Sequence, residues 1–387
     1  MKPHSPANTF AGHQDTAPQR LLSLDVLRGL TVALMIMVNN AGDGAVSYAQ
    51  LRHSSWNGCT LTDLVFPMFL FIVGASITLS FRKRLEKGAG RRPILVQVLK
   101  RSLLIFAIGL LINAMPSFQL ADLRIYGVLQ RIAICYALAS IVYLYGGIAA
   151  SIAVTALAFV GYWWLMLHVS VPGFGMPGRD VAILDPTANL ASWLDRAIVP
   201  TAHLYHHTVY DPEGLLSTIP ALGTTLCGVL AGAFLASPRP ERQKAASLLA
   251  AGLLLICAGL LWSHWFPLNK RLWTSSYALF TAGISASTLA LLWWVIDVPP
   301  RLRRGLMPWL TFGTNALTAY IFSEVLAIAL AAVTLTNGRN LRQFLYSGLP
   351  QSHLSPPLVS LLYSLSFVVV CFLPVLYLYR HRIFLKL

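Results

Sequence analysis

The sequence predicts an all-α protein, a polytopic integral membrane bundle of about ten transmembrane helices. Of its 387 residues, 56% are hydrophobic and only 11% are charged, and the mean hydropathy is +0.64. Soluble domains carry about 25% charged residues, so this composition excludes the ordinary soluble class. The lipid bilayer is therefore the first predicted partner.

Ten apolar segments have roughly the ~20 residues that a helix needs to cross a bilayer. They lie at about 21–42, 61–82, 95–116, 125–145, 147–168, 214–236, 245–264, 273–296, 306–333 and 357–380. Only Gly146 and its neighbours separate the fourth span from the fifth. Fusion of those two spans is the alternative, and it would invert the topology of everything that follows.

The connections between the spans predict the organisation of the chain. Residues 1–20 are polar, contain three prolines and lack the pattern of a signal peptide, so we expect a disordered cytoplasmic tail. Residues 21–387 then form one transmembrane domain. Its longest connection, about 169–213, starts with a Gly/Pro-rich loop and is expected on the extracytoplasmic side.

Lysine and arginine are distributed unequally between alternate loops. With the N-terminus inside, 19 of the 29 lie on the cytoplasmic side and 8 on the other, while Arg28 and Arg131 lie within spans. Cytoplasmic loops are enriched in these residues, so both termini are predicted in the cytoplasm. The net charge of +15 has the same origin, and no nucleic-acid partner is predicted.

A polar loop before the second span carries the strongest candidates for chemistry. It reads HSSWNGCTLTD from His53 to Asp63. An imidazole, with a pKa near ~6.5, can accept and return a proton at neutral pH; the alternative is a loop histidine without a role. Asp63 lies about one turn inside the span, where an acid needs a partner. It would orient His53, or bind Arg28 or a backbone amide.

Other polar residues inside the spans also require partners. Arg131, after Gln130 in the fourth span, would face water, protein or an anionic ligand, and a salt bridge with Asp63 or Glu324 is the structural alternative. Asn315 and Glu324 are expected to face the bundle interior and to bind substrate, or else only each other. On the outer side, the candidates for binding an acceptor are Trp56, Asn57, Asp211, Glu213, Asn269 and Lys270.

The first span has a short apolar core that is followed at once by Asn39 and Asn40. This pattern predicts either an interrupted span or a simple exit cap. Near the inner end, Asp25 and Arg28 have the i, i+3 spacing that lets them pair on one helix face.

Several classes of chemistry have no motif in this chain. We find no CxxC or Cys/His metal spacing, Walker loop, dinucleotide glycine pattern, GxSxG or HExxH sequence. No metal is therefore predicted. The basic cluster from Arg82 to Arg101 would clamp the phosphates of a nucleotide-bearing donor, or it simply reflects the positive-inside bias.

Six segments together resemble the heparan-α-glucosaminide N-acetyltransferase family, the lysosomal enzyme and its bacterial NagX-type relatives. The most specific are SLDVLRGLTVALMIMVNN and HSSWNGCTLTDLVFPMFLFIVGASI. RIYGVLQRIAICY, YDPEGLLSTIPALG, LNKRLWTSSYALFTAG and TNALTAYIFSEV follow in the same order. The resemblance covers most of the membrane region.

This resemblance implies an acetyltransferase that moves acetyl from cytoplasmic acetyl-CoA to an amino sugar or glycan across the membrane. His53 matches the catalytic histidine and would act as general base. Asn39 matches the active-site asparagine, and either Asn39 or a nearby backbone amide would stabilise the oxyanion. A covalent acetyl-histidine is the competing route. Arg28, Gln130 and Arg131 are expected to line the path of the coenzyme.

The chain departs from the lysosomal enzyme, which has a further span and a luminal N-terminal region. We therefore expect a bacterial-type protein of the inner (plasma) membrane that acts on a free amino sugar, a muropeptide fragment or an envelope glycan, with O-acylation as an alternative. Its oligomeric state is open, a homodimer included. A transporter of a sugar or acylated sugar is the second hypothesis, although only the first span looks interrupted.

Overall fold

The computed structural model describes residues 21–298, 305–335 and 338–384; within these ranges the chain is helical, with three isolated β-bridges and no longer strand. The helices are α1 (Leu22–Asn39), α2 (Leu61–Glu86), α3 (Arg91–Ala114), α4 (Val128–His168), α5 (Leu190–Ile198), α6 (Thr218–Leu235), α7 (Glu241–Trp262), α8 (Ser275–Ile296), α9 (Met307–Thr314), α10 (Ala316–Ala332), α11 (Leu341–Ser347) and α12 (Pro356–Arg380). Single 3₁₀ turns lie at Ala49–Leu51, Leu120–Asp122, Thr201–His203 and Tyr205–His207. The predicted fold class is confirmed, while the predicted tail at 1–20 lies outside the described residues.

The membrane crossings can be counted from helix length. In the described part of the chain, eight helices are long and apolar enough to span a bilayer, and the bent pair α9 and α10 would make a ninth span. Helix α4 has 41 residues, roughly twice the length of one crossing. It is broken at Gly147, whose φ of 64° is a conformation that glycine adopts readily.

The chain reverses direction at Gly147. If α4 were straight, Arg131 and Phe159 would lie about 42 Å apart at 1.5 Å per residue. Instead, the Arg131 guanidinium lies 5.2 Å from the ring centre of Trp273, and the Phe159 carbonyl accepts a 2.6 Å hydrogen bond from Ser275. The two halves of α4 are therefore antiparallel, which supports ten crossings over the fused alternative.

Helices α2 and α6 pack at the centre of the bundle because small residues let their backbones approach. A Cβ atom on Gly74 would lie only 1.9 Å from the carbonyl oxygen of Thr225. One turn later, the Thr78 hydroxyl donates a 2.9 Å hydrogen bond to the carbonyl of Val229. Small residues and hydroxyl groups of this kind commonly join helices inside membranes.

The peripheral helices expose their apolar side chains. Leu103 on α3 and Leu254 on α7 are 72% and 70% exposed, whereas α1, α2, α6 and α8 bury most of their length. A continuous exposed apolar surface is suited to contact with lipid. The polar residues of the candidate site therefore lie inside a lipid-facing ring.

The expected interruption of the first span is wrong. Helix α1 is unbroken, and the Asn40 side chain donates a 2.8 Å hydrogen bond back to the carbonyl of Ile36, so it caps the helix exit. The break lies between α9 and α10, where the chain bends by 83° at Asn315. Asn315 is 1% exposed and donates to the carbonyl of Ile383, which places it in the interior as expected.

Candidate active site

A cavity of about 550 Å³, called the outer cavity below, lies among the connections at the end of the bundle that the sequence predicts to be extracytoplasmic. Its polar lining includes Asn39, His53, Asp63, Asn113, Arg124, Tyr205, His206, Glu213, Lys270, Arg271, Tyr320 and Glu324, and its apolar lining includes Met35, Val65, Phe66, Ile112 and Val128. Six residues that the sequence nominated therefore share one cavity: Asn39, His53, Asp63, Glu213, Lys270 and Glu324.

His53 and Asp63 form a hydrogen-bonded dyad in this cavity. The Nδ1 atom of His53 lies 2.7 Å from Oδ1 of Asp63. The Asp63 side chain is fully buried, while the imidazole is 45% exposed. A carboxylate beside Nδ1 holds a proton on that nitrogen and leaves Nε2 as the proton acceptor. The dyad therefore has the arrangement of a general base with its orienting acid.

The second oxygen of Asp63 organises the loop that carries His53. Oδ2 accepts hydrogen bonds from the backbone amides of Ser54 and Thr60, each at 3.0 Å. Asp63 is the third residue of α2, so its bond to Thr60 is the capping box of a helix N-terminus. Two of the alternatives for Asp63 thus occur together, because it contacts His53 and also binds backbone amides.

Lys270 lies against the imidazole from a different connection, between α7 and α8. Its Nζ atom is 3.1 Å from Nδ1 and 3.3 Å from Nε2 of His53. Burial lowers the pKa of Lys270, although the carboxylates of Glu213 and Asp63 oppose that shift. The base therefore has a carboxylate and an amine as immediate neighbours.

Three predicted acceptor-binding residues hold loops together and are absent from the described cavity lining. The Asn269 amide donates a 3.1 Å hydrogen bond to the side chain of Asn57. The Trp56 indole donates to the carbonyl of Leu184 at 2.7 Å, and its ring packs edge-on against Tyr210. These contacts fix the loops that carry His53 and Lys270.

Arg124 connects the entrance of α4 to the acidic turn before α6. Its guanidinium binds Asp211 through two hydrogen bonds of 2.7 and 3.0 Å and Glu213 through one of 2.6 Å. Burial opposes both charges, but the carboxylates raise the pKa of Arg124 and the guanidinium lowers that of Glu213. Asp211 is thus part of a structural ion pair, while Glu213 also reaches the cavity.

Arg131 lies in the wall beneath this turn. It is 1% exposed, and its Nη2 atom donates to the carbonyl of Gly214 and the hydroxyl of Ser217. Within the described ranges, no carboxylate lies within 4 Å of its guanidinium. The salt bridge with Asp63 or Glu324 that the sequence left as an alternative is therefore not formed. Gln130 is 3% exposed beside it. Neither side chain is in the lining of a described cavity.

Asn39 and Glu324 form another part of the cavity lining, from α1 and α10. The Asn39 amide lies 3.4 Å from Oε1 of Glu324. Tyr320, one turn earlier on α10, lines the same cavity. Tyr320 and Glu324 therefore bring one face of α10 into the cavity that His53 also lines.

Comparison with known proteins places this geometry in a family. The profile for the catalytic region of heparan-alpha-glucosaminide N-acetyltransferase matches residues 20–260. The chain belongs to this family. The protein of that name from Mus musculus is 30% identical over 367 residues, which cover 80% of this chain and 54% of the relative. The Homo sapiens protein is 30% identical over 361 residues, with 80% and 53% covered. The chain thus spans about half the length of these relatives.

The region that matches this N-acetyltransferase family contains most of the outer site. His53, Asp63, Arg124 and Glu213 fall within residues 20–260, while Lys270 and Glu324 come from later in the chain. The fold therefore completes the site with residues from beyond the matched catalytic region.

A second cavity, of about 350 Å³, called the inner cavity below, lies toward the end of the bundle that the sequence predicts to be cytoplasmic. Its polar lining is Arg28, Ser76, Ser80, Arg101, Tyr136, Thr314 and Asn315. Arg28 also lines a neighbouring cavity of about 360 Å³ with Arg82 and Lys83. As its spacing predicts, Arg28 pairs with Asp25 at 2.9 Å.

A thin apolar layer separates the outer cavity from the inner one. Phe66 lines the outer cavity and Phe69 the inner one, a separation of about 4.5 Å along α2. On α4, Val128 and Ile132 repeat this arrangement about 6 Å apart. On α1 and α3 the linings of the two cavities are seven residues apart, Arg28 to Met35 and Ile105 to Ile112, so the layer is between one and two helical turns thick.

Sequence reasoning did not nominate the other six polar residues named above for the outer cavity: Asn113, Arg124, Tyr205, His206, Arg271 and Tyr320. Arg124 carried the clearest signal, because it lies just outside a span on the same side as the acidic turn. The others reach the cavity only through the way their loops and helices fold together.

Proposed function

We propose that this protein is a membrane-embedded acetyltransferase. It moves an acetyl group from cytoplasmic acetyl-CoA to the amino group of an amino sugar or glycan on the extracytoplasmic side. The observation that carries the proposal is the His53–Asp63 dyad, which lines a cavity of a size suited to a small ligand in a member of an N-acetyltransferase family.

In the proposed reaction, the acceptor nitrogen attacks the thioester carbon and the carbonyl electron pair moves to oxygen. Nε2 of His53 takes the proton of the attacking amine, while Asp63 stabilises the imidazolium. Collapse of the intermediate breaks the C–S bond, and the thiolate receives the proton from His53. The Asn39 amide, held by Glu324, is positioned in the same cavity to assist the oxyanion.

The inner cavity supports a path for the donor. Arg28 and Arg101 offer guanidinium groups, and Ser76 and Ser80 offer hydroxyls, which suits the phosphates of coenzyme A. The acyl-bearing arm would then pass the thin apolar layer to reach His53. Of the three residues expected on this path, Arg28 lines the inner cavity, while Gln130 and Arg131 are buried and line none of the described cavities.

The outer cavity supports an amino-sugar acceptor. Glu213 and Glu324 provide carboxylates that can accept hydrogen bonds from ammonium or hydroxyl groups, and Tyr205 provides an aromatic ring. The cavity volume of about 550 Å³ accommodates a monosaccharide or the end of a glycan.

Purified protein in nanodiscs, supplied with labelled acetyl-CoA and a panel of amino sugars and hydroxyl acceptors, tests the proposal. We expect labelled product from wild type and none from His53→Ala. The matched control is His264→Ala, which removes an exposed histidine from the connection that carries Lys270. Absence of product with every acceptor, or unchanged turnover in His53→Ala, would overturn the proposal.

The acetyl-histidine route can be separated from direct transfer in the same system. Acid quenching without acceptor should leave no label on the protein if transfer is direct. Label that is retained by wild type and lost in His53→Ala would establish the covalent route.

The bend at Asn315 favours transport as the second candidate, because discontinuous helices often form transporter binding sites. Proteoliposomes distinguish the two. Acetyl-CoA on the basic side and acceptor on the other side should give acetylated product without net uptake of the unmodified sugar.

A further inference from the structure

We propose that Glu324 is a second base of the reaction: its carboxylate binds the ammonium form of the amino-sugar acceptor and takes the first of the two protons that the nitrogen must lose. This inference rests on the proposed acetyl transfer and deepens it, because it assigns the choice of an amine over a hydroxyl acceptor to one residue. The observation that carries it is a carboxylate inside a span that lines the outer cavity without a cation beside it.

Three carboxylates are in the described lining of the outer cavity, and two of them are already engaged. Asp63 contacts His53 and accepts two backbone amides. Glu213 is paired with Arg124 at 2.6 Å. In the described chain, no nitrogen of a lysine, arginine or histidine lies within 4 Å of the Glu324 carboxylate, whose partners are neutral. Glu324 is therefore the carboxylate of this cavity that can still accept a cation.

The position of Glu324 makes a cationic partner valuable. It is the ninth residue of α10, inside the span, and its polar neighbours are the Asn39 amide at 3.4 Å and the Tyr320 side chain one turn earlier. A carboxylate at this depth is costly, and such residues commonly mark substrate or proton pathways. An ammonium group that enters the cavity therefore finds a charge that no other cation has neutralised.

An amino sugar has two protons to lose before its nitrogen becomes an amide. An amine with a pKa of about 8, like that of an α-amino group, is mostly ammonium at neutral pH and has no lone pair for attack. His53 takes one proton per turnover. Its ring also lies 3.1 and 3.3 Å from the ammonium of Lys270, so a second ammonium is repelled there. The first deprotonation therefore needs another acceptor.

The other titratable groups around Glu324 do not replace it in this step. Arg342 on α11, a helix that packs against α10, donates to the carbonyl of Ala41. The titratable groups that share the cavity with Glu324 are Tyr320 on α10, His53 and Asp63 at the start of α2, and Arg124, Tyr205, His206, Glu213, Lys270 and Arg271 on the connections. The cations among them make the region around the connections unfavourable for an ammonium group.

The proton transfers balance. The acceptor ammonium binds the Glu324 carboxylate, an N–H bond breaks and an O–H bond forms, which leaves a neutral amine and a neutral carboxylic acid. The amine then attacks the thioester carbon, Nε2 of His53 takes the second proton, and breakage of the C–S bond passes that proton to the thiolate. Glu324 releases its proton to the extracytoplasmic water, so each turnover yields one amide, one thiol and one proton. A hydroxyl acceptor has one proton and does not need Glu324.

The first test is the kinetics of Glu324→Gln, which keeps the contact with Asn39 but removes the charge. At pH 7 it should lower kcat/KM for glucosamine about tenfold or more, because a charged hydrogen bond is lost. The deficit should shrink severalfold between pH 7 and 9, where the free amine becomes the main form. Glu324→Asp should retain part of the rate at pH 7.

The matched control for these kinetics is Glu241→Gln, which removes a half-exposed carboxylate at the start of α7 and should leave kcat/KM unchanged at both pH values. A deficit in Glu324→Gln that is equally large at pH 9 would indicate a purely structural role and would overturn the inference.

The second test does not depend on turnover. Equilibrium binding of labelled glucosamine and labelled glucose, without acetyl-CoA, compares an ammonium with a hydroxyl at the same position of the sugar. At pH 7, wild type should bind glucosamine several-fold more tightly, and Glu324→Gln should bind the two sugars equally. Equal binding by wild type, or an unchanged preference in Glu324→Gln, would contradict the inference.

The outcomes separate this inference from the proposed function. Acetyl transfer by wild type, with unaffected transfer by Glu324→Gln at pH 7, would remove the role of Glu324 and leave the proposed function intact. If wild type transfers no acetyl group, the binding comparison still decides whether Glu324 recognises the ammonium. Should Glu324→Gln fail to fold, Glu324→Leu, which suits an apolar span, provides the same comparison.

Discussion

Asp63 joins His53 to the start of the second transmembrane helix through opposite oxygens of one carboxylate. Oδ1 contacts the imidazole at 2.7 Å, and Oδ2 receives the amides of Ser54 and Thr60. The position of the candidate base is therefore determined by the same group that caps the helix, so the imidazole cannot shift unless the loop shifts too.

The first prediction concerns Asp63→Asn. The amide can still accept from Thr60, but it no longer holds the Nδ1 proton as a carboxylate does. We expect kcat/KM to fall by about 100-fold or more, with a small decrease in Tm. Asp180→Asn, an exposed acid on the outer side, is the control. Activity within about threefold of wild type would contradict the dyad.

The second prediction concerns Arg124→Gln. The change leaves Asp211 and Glu213 buried without their cation, which should lower the free energy of unfolding by about 3 kcal/mol. Thermal denaturation in detergent measures the loss, and adding Asp211→Asn to the variant should recover part of it. The control is Arg179→Gln, whose ion pair with Asp180 is solvent-exposed and should contribute nothing measurable.

The third prediction concerns the donor side. Arg101 lines the inner cavity and stacks over Tyr136. Arg101→Gln should raise the KM for acetyl-CoA about tenfold while the KM for the acceptor is unchanged, because one charged hydrogen bond to a phosphate is lost. Arg92→Gln removes an exposed cation outside the described cavities at the start of α3 and should change neither constant.

The fourth prediction concerns helix packing. Gly74→Ala places a methyl group 1.9 Å from a backbone oxygen of α6, and the helices can relieve this only by separating. We expect a loss of at least about 2 kcal/mol in stability or a failure to purify as a monodisperse species. The identical substitution at Gly44, which has no heavy atom within 4 Å of the added Cβ, should be tolerated.

The fifth prediction concerns pH. Burial raises the pKa of Asp195 to about 6, so the folded protein binds a proton there that the unfolded chain releases. The stability of wild type should therefore fall, relative to Asp195→Asn, as pH rises from about 4 to 6.

Tm measurements at pH 4.5 and 7.5 test this sign. The stabilising effect of Asp195→Asn should be larger at pH 7.5, by about 3 kcal/mol at most. Asp180→Asn provides the contrast: Arg179 lowers the pKa of Asp180 to about 2, so the change should show no difference between the two pH values.

Most of the fold could be predicted from composition and apolar length. Even the reversal at Gly147 was expected, because two complete spans cannot fit into one crossing. The bend at Asn315 was not expected, since the sequence from 306 to 333 is apolar throughout and hydropathy does not record direction. The polar residues at the end of α1 suggested that this span is interrupted. Instead, the side chain of Asn40 hydrogen-bonds back to the helix and caps it.

The candidate site was predictable where neighbours in sequence are neighbours in space. His53 and Asp63 are ten residues apart on one loop and helix start, so their contact was among the alternatives that the sequence left open. The contact between Lys270 and His53 depends on the packing of two connections that are distant in sequence. Trp56, Asn57 and Asn269 make hydrogen bonds that hold those connections in place. Residue type alone could not distinguish a side chain that holds two loops together from one that binds a ligand.

The apolar turn between Phe66 and Phe69 has a consequence for the cell. With only that layer between the two cavities, a wider passage would conduct protons and dissipate the electrochemical gradient of the membrane. Side chains that part only around a slender acyl-bearing arm would reseal behind it. A thin layer that would shorten the proposed route of the thioester would therefore also keep the membrane insulated.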